Sequence, residues 1–186
     1  MNKLITYLTQ FGKLNRQQIA LIKEKANELE LGIGQCFAEA GKIPDQIGFI
    51  SDGVIRAYYI DKEEEVTRYF IDENHMIILD INKPSYEYLQ AITDCKLFVF
   101  SKQDWKEISG MIAGWNEIVQ KIDKINRMDQ QDMIKLMESN DPVVENSIRM
   151  MLHQNNINKY HQMFEMVSQT IRKQKESRKE IAKNIR

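Results

Sequence analysis

A stretch in which apolar and polar residues alternate between glycines constrains the fold of this chain most. Over residues 30–100 apolar residues recur with a period near two, which is the period of β-strands. In residues 48–58 a short apolar run leads into Asp52-Gly53 and a second run follows. Asp-Gly between two such runs predicts a hairpin, because glycine adopts the positive φ of a tight turn. Short strands separated by glycines are typical of a small rolled barrel, so we expect a β-roll here.

The alternation places six strands in this segment, separated by turns rich in glycine or charge. They are predicted at residues 36–39, 46–51, 54–60, 66–71, 86–92 and 97–100. Before them, apolar residues at helical spacing predict two helices with a break at Gly12, the second beginning near Asn15 and its apolar face extending to Leu29. After them, Ser101 followed by Asp104 is typical of a helix start, because both side chains serve unpaired backbone N–H groups.

A long helix is predicted after Gly114. Its apolar residues Trp115, Ile118, Ile122 and Ile125 follow the 3-4-3 spacing of a dimer seam. The same residues could instead pack on the chain's own roll. We favour dimerisation, because a helix of about 24 residues spans about 36 Å, more than a small roll can cover.

A further boundary is predicted at Asp141, which can cap a new helix that has Pro142 as its first residue. The chain is thus expected to be α+β, with three parts. Residues 1–112 form a β-roll with flanking helices, residues 113–140 form the long helix, and residues 141–186 form a small helical domain.

Charge is balanced over the whole chain but not along it. The 186 residues carry 26 cations and 27 anions, whereas residues 166–186 carry seven cations and two anions. A basic end on an acidic body is typical of proteins that contact nucleic acid. No apolar run approaches the roughly 20 residues that span a bilayer, so we expect a cytoplasmic protein without a membrane partner.

The glycine and strand spacing around residues 48–58 resembles the sensor roll of the Crp/Fnr family of bacterial transcription regulators. This roll is also known as the cyclic nucleotide-binding fold, a double-stranded β-helix. The resemblance implies an N-terminal sensor roll, a central dimerisation helix and a C-terminal winged-helix-like DNA-binding domain. It extends from Leu4 to about Met137 and is weaker from Pro142 onward.

Members of the family that bind cyclic nucleotides carry a phosphate-binding cassette with a Gly-Glu pair and an arginine. The equivalent residues here, 72–88, contain no glycine and no arginine. We therefore expect a roll that does not bind cAMP and needs no cofactor, with another small molecule as a possible effector. The candidate pocket residues are Lys83, Ser85, Tyr86 and Glu87, although a polar edge leading into a strand would look the same.

The chain's basic end resembles the recognition helix of these regulators, in which Ser-Arg lies near bases and phosphates. The candidate DNA-binding residues are Thr170, Arg172, Lys173, Lys175, Ser177, Arg178 and Lys179. The last glycine of the chain is Gly114, so the expected turn lacks its usual glycine, and no hairpin wing precedes it. The alternative is an exposed, charged terminal helix.

The sequence thus predicts a homodimeric regulator that reads a two-fold operator in double-stranded DNA. The alternative is a ligand-sensing or interaction module of the same fold that does not read DNA. An enzyme is not expected, because the sequence has no phosphate-binding loop, nucleophile elbow or His-Glu-x-x-His motif. His153 and His161 lie eight apart without an acidic cluster, so no metal site is expected.

Overall fold

A computed structural model describes residues 1–138, and these residues form the predicted β-roll with flanking helices. Eight strands build two four-stranded antiparallel sheets. The first sheet has the order β1-β8-β3-β6 and the second the order β2-β7-β4-β5. The strands are β1 (Asn27–Leu31), β2 (Cys36–Ala38), β3 (Gln46–Asp52), β4 (Ile55–Asp61), β5 (Glu64–Ile71), β6 (Met76–Ile77), β7 (Tyr88–Ala91) and β8 (Cys95–Ser101).

Four helices surround the roll, two before the strands and two after them. They are α1 (Asn2–Phe11), α2 (Arg16–Lys25), α3 (Lys102–Met111) and α4 (Trp115–Glu138). Both predicted caps are confirmed: Asn15 Oδ1 accepts from Gln18 N at 2.9 Å, and Ser101 Oγ accepts from Asp104 N at 3.1 Å. The predicted third domain, residues 141–186, and the boundary at Asp141 lie outside the described residues.

All six predicted strands are present, but the sequence missed β1 and β6. The segment of β1 fitted the helical spacing of the residues before it, so the second helix was predicted to continue too far. In the structure α2 ends at Lys25, Ala26 is extended, and Asn27–Leu31 pairs with β8. Strand β6 has two residues, too few for a period to show.

The hairpin predicted at Asp52-Gly53 is wrong. Strands β3 and β4 belong to different sheets and do not pair, so this turn is a corner between the sheets. Gly53 has a φ of 109°, and a Cβ built on it would lie 2.4 Å from Cys95 Sγ and 2.7 Å from Cys95 Cα. The glycine is needed both for its backbone conformation and for the close approach of β8.

The tight hairpin lies one strand later, at Lys62-Glu63. These two residues connect β4 to β5 between the paired residues Asp61 and Glu64, and their φ values are 48° and 70°. Two-residue turns of this kind favour Asn-Gly, because both residues take positive φ. Lysine and glutamate give no such signal, so sequence analysis predicted only a looser turn there.

The core has two parts. One fills the space between the two sheets, and the other lies between the first sheet and the four helices. All four helices contribute to the second part, and α4 does so through Trp115, Ile118 and Ile122, which are at most 4% exposed. The predicted dimer seam is therefore corrected at these three positions, since their side chains pack within the chain's own core.

Helix α4 is also held to the roll by a charged contact. His75, just before β6, has its Nδ1 2.7 Å from Asp72 Oδ1 and its Nε2 3.6 Å from Asp129 Oδ2 on α4. Burial lowers the pKa of His75, but the two carboxylates outweigh it, so the pKa is raised overall.

Among residues 1–138, no helix is long and apolar enough to cross a membrane.

We expect Gly53→Ala to lower the free energy of unfolding by about 2–4 kcal/mol, because it adds both backbone strain and a clash with β8. Gly34→Ala is the matched control, since Gly34 has a φ of 86° but open space around its Cβ position. It should cost about 1 kcal/mol, the strain alone. Urea unfolding of both variants measures the difference. If both variants lose the same free energy of unfolding, the close approach of β8 to residue 53 would be contradicted.

We expect the His75 contact to stabilise the protein only while the imidazole is protonated. The pKa is raised on folding, so this stability is full below the unfolded pKa of about 6.5 and is lost as pH rises through the folded pKa. Wild type should therefore exceed His75→Gln in unfolding free energy near pH 6 but not near about pH 8.5. A difference that does not change with pH would refute the contact.

Candidate ligand cavity between the roll and the long helix

A cavity of about 290 Å³ lies between the roll and α4. Its walls come from β5, from β6 and the residues after it, from β7 and from one face of α4. The lining residues are Tyr69, Ile71, Met76, Ile77, Ile78, Leu79 and Leu89 on the roll, and Asp123, Asn126, Arg127 and Gln130 on α4. The cavity is thus lined by the roll on one side and by α4 on the other.

The roll side of the cavity is apolar. Leu89, Tyr69 and Ile71 point inward from the second sheet because alternate residues of each strand face the space between the sheets. Met76 and Ile77 close the side next to α4 and are at most 2% exposed. None of the seven lining residues on the roll carries a charge.

The helix side is polar, and its buried member is Asn126. This residue is 8% exposed, and its Nδ2 donates to the carbonyl oxygen of Met76 at 2.8 Å. Its Oδ1 is buried without a hydrogen-bond partner among the described residues. Near the rim, Arg127 and Asp123 form an ion pair with an Nη2–Oδ2 distance of 2.8 Å. Asn126 therefore joins α4 to β6 and keeps one acceptor uncommitted.

Behind the apolar wall lies a small polar cluster. Tyr69 donates its hydroxyl to Glu87 Oε2 at 2.7 Å, and Arg68 pairs with the other oxygen of Glu87. Burial, followed by the charge and hydrogen bond of Glu87, raises the pKa of Tyr69 well above its usual range. The hydroxyl of Tyr69 is thus neutral and already hydrogen-bonded to Glu87. Arg68 is paired with the same carboxylate and is not directed at a ligand.

The four residues predicted to line a pocket do not line this cavity. Ser85 accepts from and donates to Glu87 backbone atoms, Tyr86 is 89% exposed, and Lys83 pairs with Asp80 at 3.5 Å in solvent. The reason is a backbone tie: Gly41 N donates to Ser85 O and Ser85 N donates to Lys42 O. This tie holds the segment on the outside of the roll. Glu87 alone approaches the site, through Tyr69.

Sequence analysis missed Asn126, and a signal for it was present. Trp115, Ile118, Ile122 and Asn126 follow a 3-4-4 spacing, which is the 3.6-residue period of a straight helix. The heptad pattern of a dimer seam selected Ile125 instead, and that residue is 42% exposed. A polar residue at the next core position of an apolar stripe indicates a buried hydrogen bond. Asn126 makes such a bond with the carbonyl oxygen of Met76.

Two further sets of predicted residues lie outside the described residues. They are the candidate DNA-binding residues 170–179, and the histidines His153 and His161. Within the described part, no group of three or more histidine, cysteine or acidic side chains could hold a metal ion.

No protein-family model matches the chain, and no curated protein matches it. Solved structures do match. The sensor domain of the transcriptional regulator DNR from Pseudomonas aeruginosa is 15% identical, with a TM-score of 0.54, 76% of this chain covered and 93% of that one. A mutant of CooA from Carboxydothermus hydrogenoformans is 11% identical, with a TM-score of 0.54 and 74% and 90% covered.

The same fold occurs outside transcription regulators. The regulatory domain of Toxoplasma gondii PKA, solved with cAMP, is 15% identical, with a TM-score of 0.52 and 57% of this chain covered. The match spans 43% of that chain, less than half its length. At these identities the likeness concerns the fold. Residues 1–138 therefore have the antiparallel roll and helices of the cyclic nucleotide-binding-like fold, which sensor and regulatory domains share.

Proposed function

We propose that this protein is a DNA-binding transcriptional regulator of Crp/Fnr type that works as a homodimer in the cytoplasm. One observation carries the proposal: the long helix α4 forms a wall of the cavity in the roll and extends past the cavity to Glu138. An event in the cavity can therefore move the helix that leads to the basic end of the chain. The chain also shares its fold with the sensor domain of a transcriptional regulator.

The sensor in this proposal does not respond to cyclic nucleotides. Residues 72–88 contain neither the glycine nor the arginine that a cyclic phosphate requires. The nearest arginine on the roll side, Arg68, is paired with Glu87. On α4, Arg127 is paired with Asp123. A phosphate in the cavity would have to break one of these pairs to gain a cation.

The proposed dimer uses the edge of α4 that the roll leaves uncovered. Ile125 and Met128 lie there, 42% and 53% exposed, three residues apart on one side of the helix. Exposed apolar residues at this spacing favour a partner helix, and a two-fold axis would place the same edge of each copy in contact. Ile125 is thus the one predicted seam residue available for the interface.

DNA contact in this proposal comes from residues 166–186. Arg172, Lys173, Lys175 and Lys179 would bind phosphates, and Thr170, Ser177 and Arg178 would lie nearer the bases, as the family resemblance implies. Two copies must present these segments about 34–36 Å apart to meet successive half-sites. A ligand changes that separation only if it binds one arrangement of α4 better than the other.

The second candidate is a ligand-sensing or interaction module without DNA reading. The missing turn glycine favours it, and the seven cations in residues 166–186 oppose it. An enzyme is not proposed, because the matched structures named above include a regulatory domain and a sensor domain.

We expect Met128→Glu to shift the protein from dimer to monomer, since it places two carboxylates opposite each other across the proposed seam. The dissociation constant should rise at least tenfold in sedimentation equilibrium, which corresponds to about 1.4 kcal/mol. Asn116→Glu is the matched control, because it adds the same single charge at an exposed position on the opposite side of α4 from Ile125. Dissociation by both variants to the same degree would contradict the seam.

We expect the full chain to bind mixed-sequence duplex DNA at low salt through its basic end. Lys173→Glu combined with Arg178→Glu should abolish this retention, because each change replaces a phosphate contact by repulsion. The control, Lys23→Glu with Lys106→Glu, makes the same charge change at exposed positions near the roll. If both double variants bind alike, or wild type does not bind at all, the second candidate function replaces the first.

A further inference from the structure

The outer face of the second sheet carries a surface that the proposed function does not use. Tyr69 and Leu89 of this sheet point inward to the cavity, so the residues that alternate with them point to the opposite face. We infer that the hairpin end of this outer face docks the chain's own basic end, residues 166–186, and competes with DNA for its cations. This contact rests on the proposed role of the same cations in DNA binding.

A row of stacked side chains forms the floor of the face. The ring of Tyr58 stacks on that of Tyr88 with centroids 4.9 Å apart, and the guanidinium of Arg56 lies 4.1 Å from the Tyr58 centroid. Arg56 Nη2 is held in turn by Glu65 and Gln90. Neither tyrosine belongs to the two parts of the core. Tyrosine and arginine are enriched at protein interfaces, so this floor has the composition of a contact surface.

Exposed apolar residues adjoin the stack at one end of the face. Strands β4 and β5 continue for three residue pairs beyond Tyr58, the last residue of β4 that pairs with β7. Ile60 lies in this extension and is 54% exposed. Tyr86, which is largely exposed, precedes β7 by two residues and therefore lies at the same end. A backbone hydrogen bond of 2.9 Å between the β6–β7 and β2–β3 connections places exposed Ile43 there as well.

The same end of the face is acidic. Residues 61–65, the hairpin and its flanks, carry four carboxylates and one lysine, all exposed. Glu65 pairs with Arg56, whereas the side chains of Asp61, Glu63 and Glu64 make no hydrogen bond or ion pair with a described residue. Grouped apolar residues with a polar rim are typical of a docking site, and the sign of the rim selects the partner. This surface therefore fits a segment that combines cations with apolar side chains.

The basic end of the chain is such a segment. Its seven cations and two anions complement the acidic hairpin, and Ile171, Ile181 and Ile185 lie among the cations. The connecting residues 139–165 can span up to about 90 Å when extended, so they do not prevent the contact. Docking covers cations that are proposed to bind phosphates. The apparent affinity for DNA is then lowered in proportion to the fraction of chains in which the segment is free.

Cross-linking of the full 186-residue chain tests the contact without DNA. A carbodiimide joins an amine directly to a carboxylate, so we expect it to link Glu63 or Glu64 to lysines of the basic end. The lysines concerned are Lys173, Lys175, Lys179 and Lys183. Saturating duplex DNA should lower the yield about fivefold or more, because it takes the same cations. A free chain in which these lysines link no more to the hairpin than to Glu24 and Glu117 on the helices would overturn the inference.

A pair of double variants tests the competition with DNA. Glu63→Gln with Glu64→Gln should lower the dissociation constant for mixed-sequence duplex DNA about 3–10-fold at low salt, because fewer chains are docked. Glu24→Gln with Glu117→Gln is the matched control, since it removes the same charge from exposed positions on α2 and α4. If both double variants bind DNA equally tightly, the hairpin does not hold the basic end.

The apolar part of the surface has its own matched pair. Ile60→Thr keeps the β-branched shape but removes apolar contact, so it should also tighten DNA binding, by about 2–5-fold. Ile33→Thr makes the same change at a similarly exposed residue in the β1–β2 turn and should leave DNA binding unchanged. Cross-links without retention on DNA would refute only the proposed regulator, whereas retention on DNA without the cross-links would refute only the docking.

Discussion

The packing of α4 on the roll is the interaction on which the rest of the structure depends. Trp115, Ile118 and Ile122 enter the core between the helices and the first sheet, each at most 4% exposed. Burial of such a side chain contributes about 1.5–3 kcal/mol. Gly12 allows the approach, since a Cβ there would lie 2.6 Å from Ile118 Cγ1. Without these contacts the cavity would have no helix wall.

This packing also divides the surface of α4 between two tasks. The face that the core occupies is unavailable to a partner, and one turn later the same face supplies Asn126 to the cavity. The edge carrying Ile125 and Met128 remains for a second copy. A change in the packing of α4 on the roll would therefore also displace the edge that forms the proposed seam.

The sequence was sufficient where a feature is local or strictly periodic. The caps at Asn15 and Ser101 depend on neighbours within four residues, and six strands showed a clear alternation. The sequence was insufficient where an element distant in the chain determines the local structure. Gly53 turns between sheets because β8 passes against it, and the stripe on α4 faces the roll because it shares a core with α1 and with strands of the first sheet. Asn126 was missed because the 3-4-3 spacing of a heptad ends at Ile125, whereas the 3-4-4 spacing of a straight helix ends at Asn126.

Native-state hydrogen exchange of α4 tests the central claim most directly. If the helix and the roll form one cooperative unit, amides of residues 115–126 open with the same free energy as those of β8, to which the core couples them. Exchange of these α4 amides much faster than that of β8 would show that the helix is independent of the roll and would contradict the account.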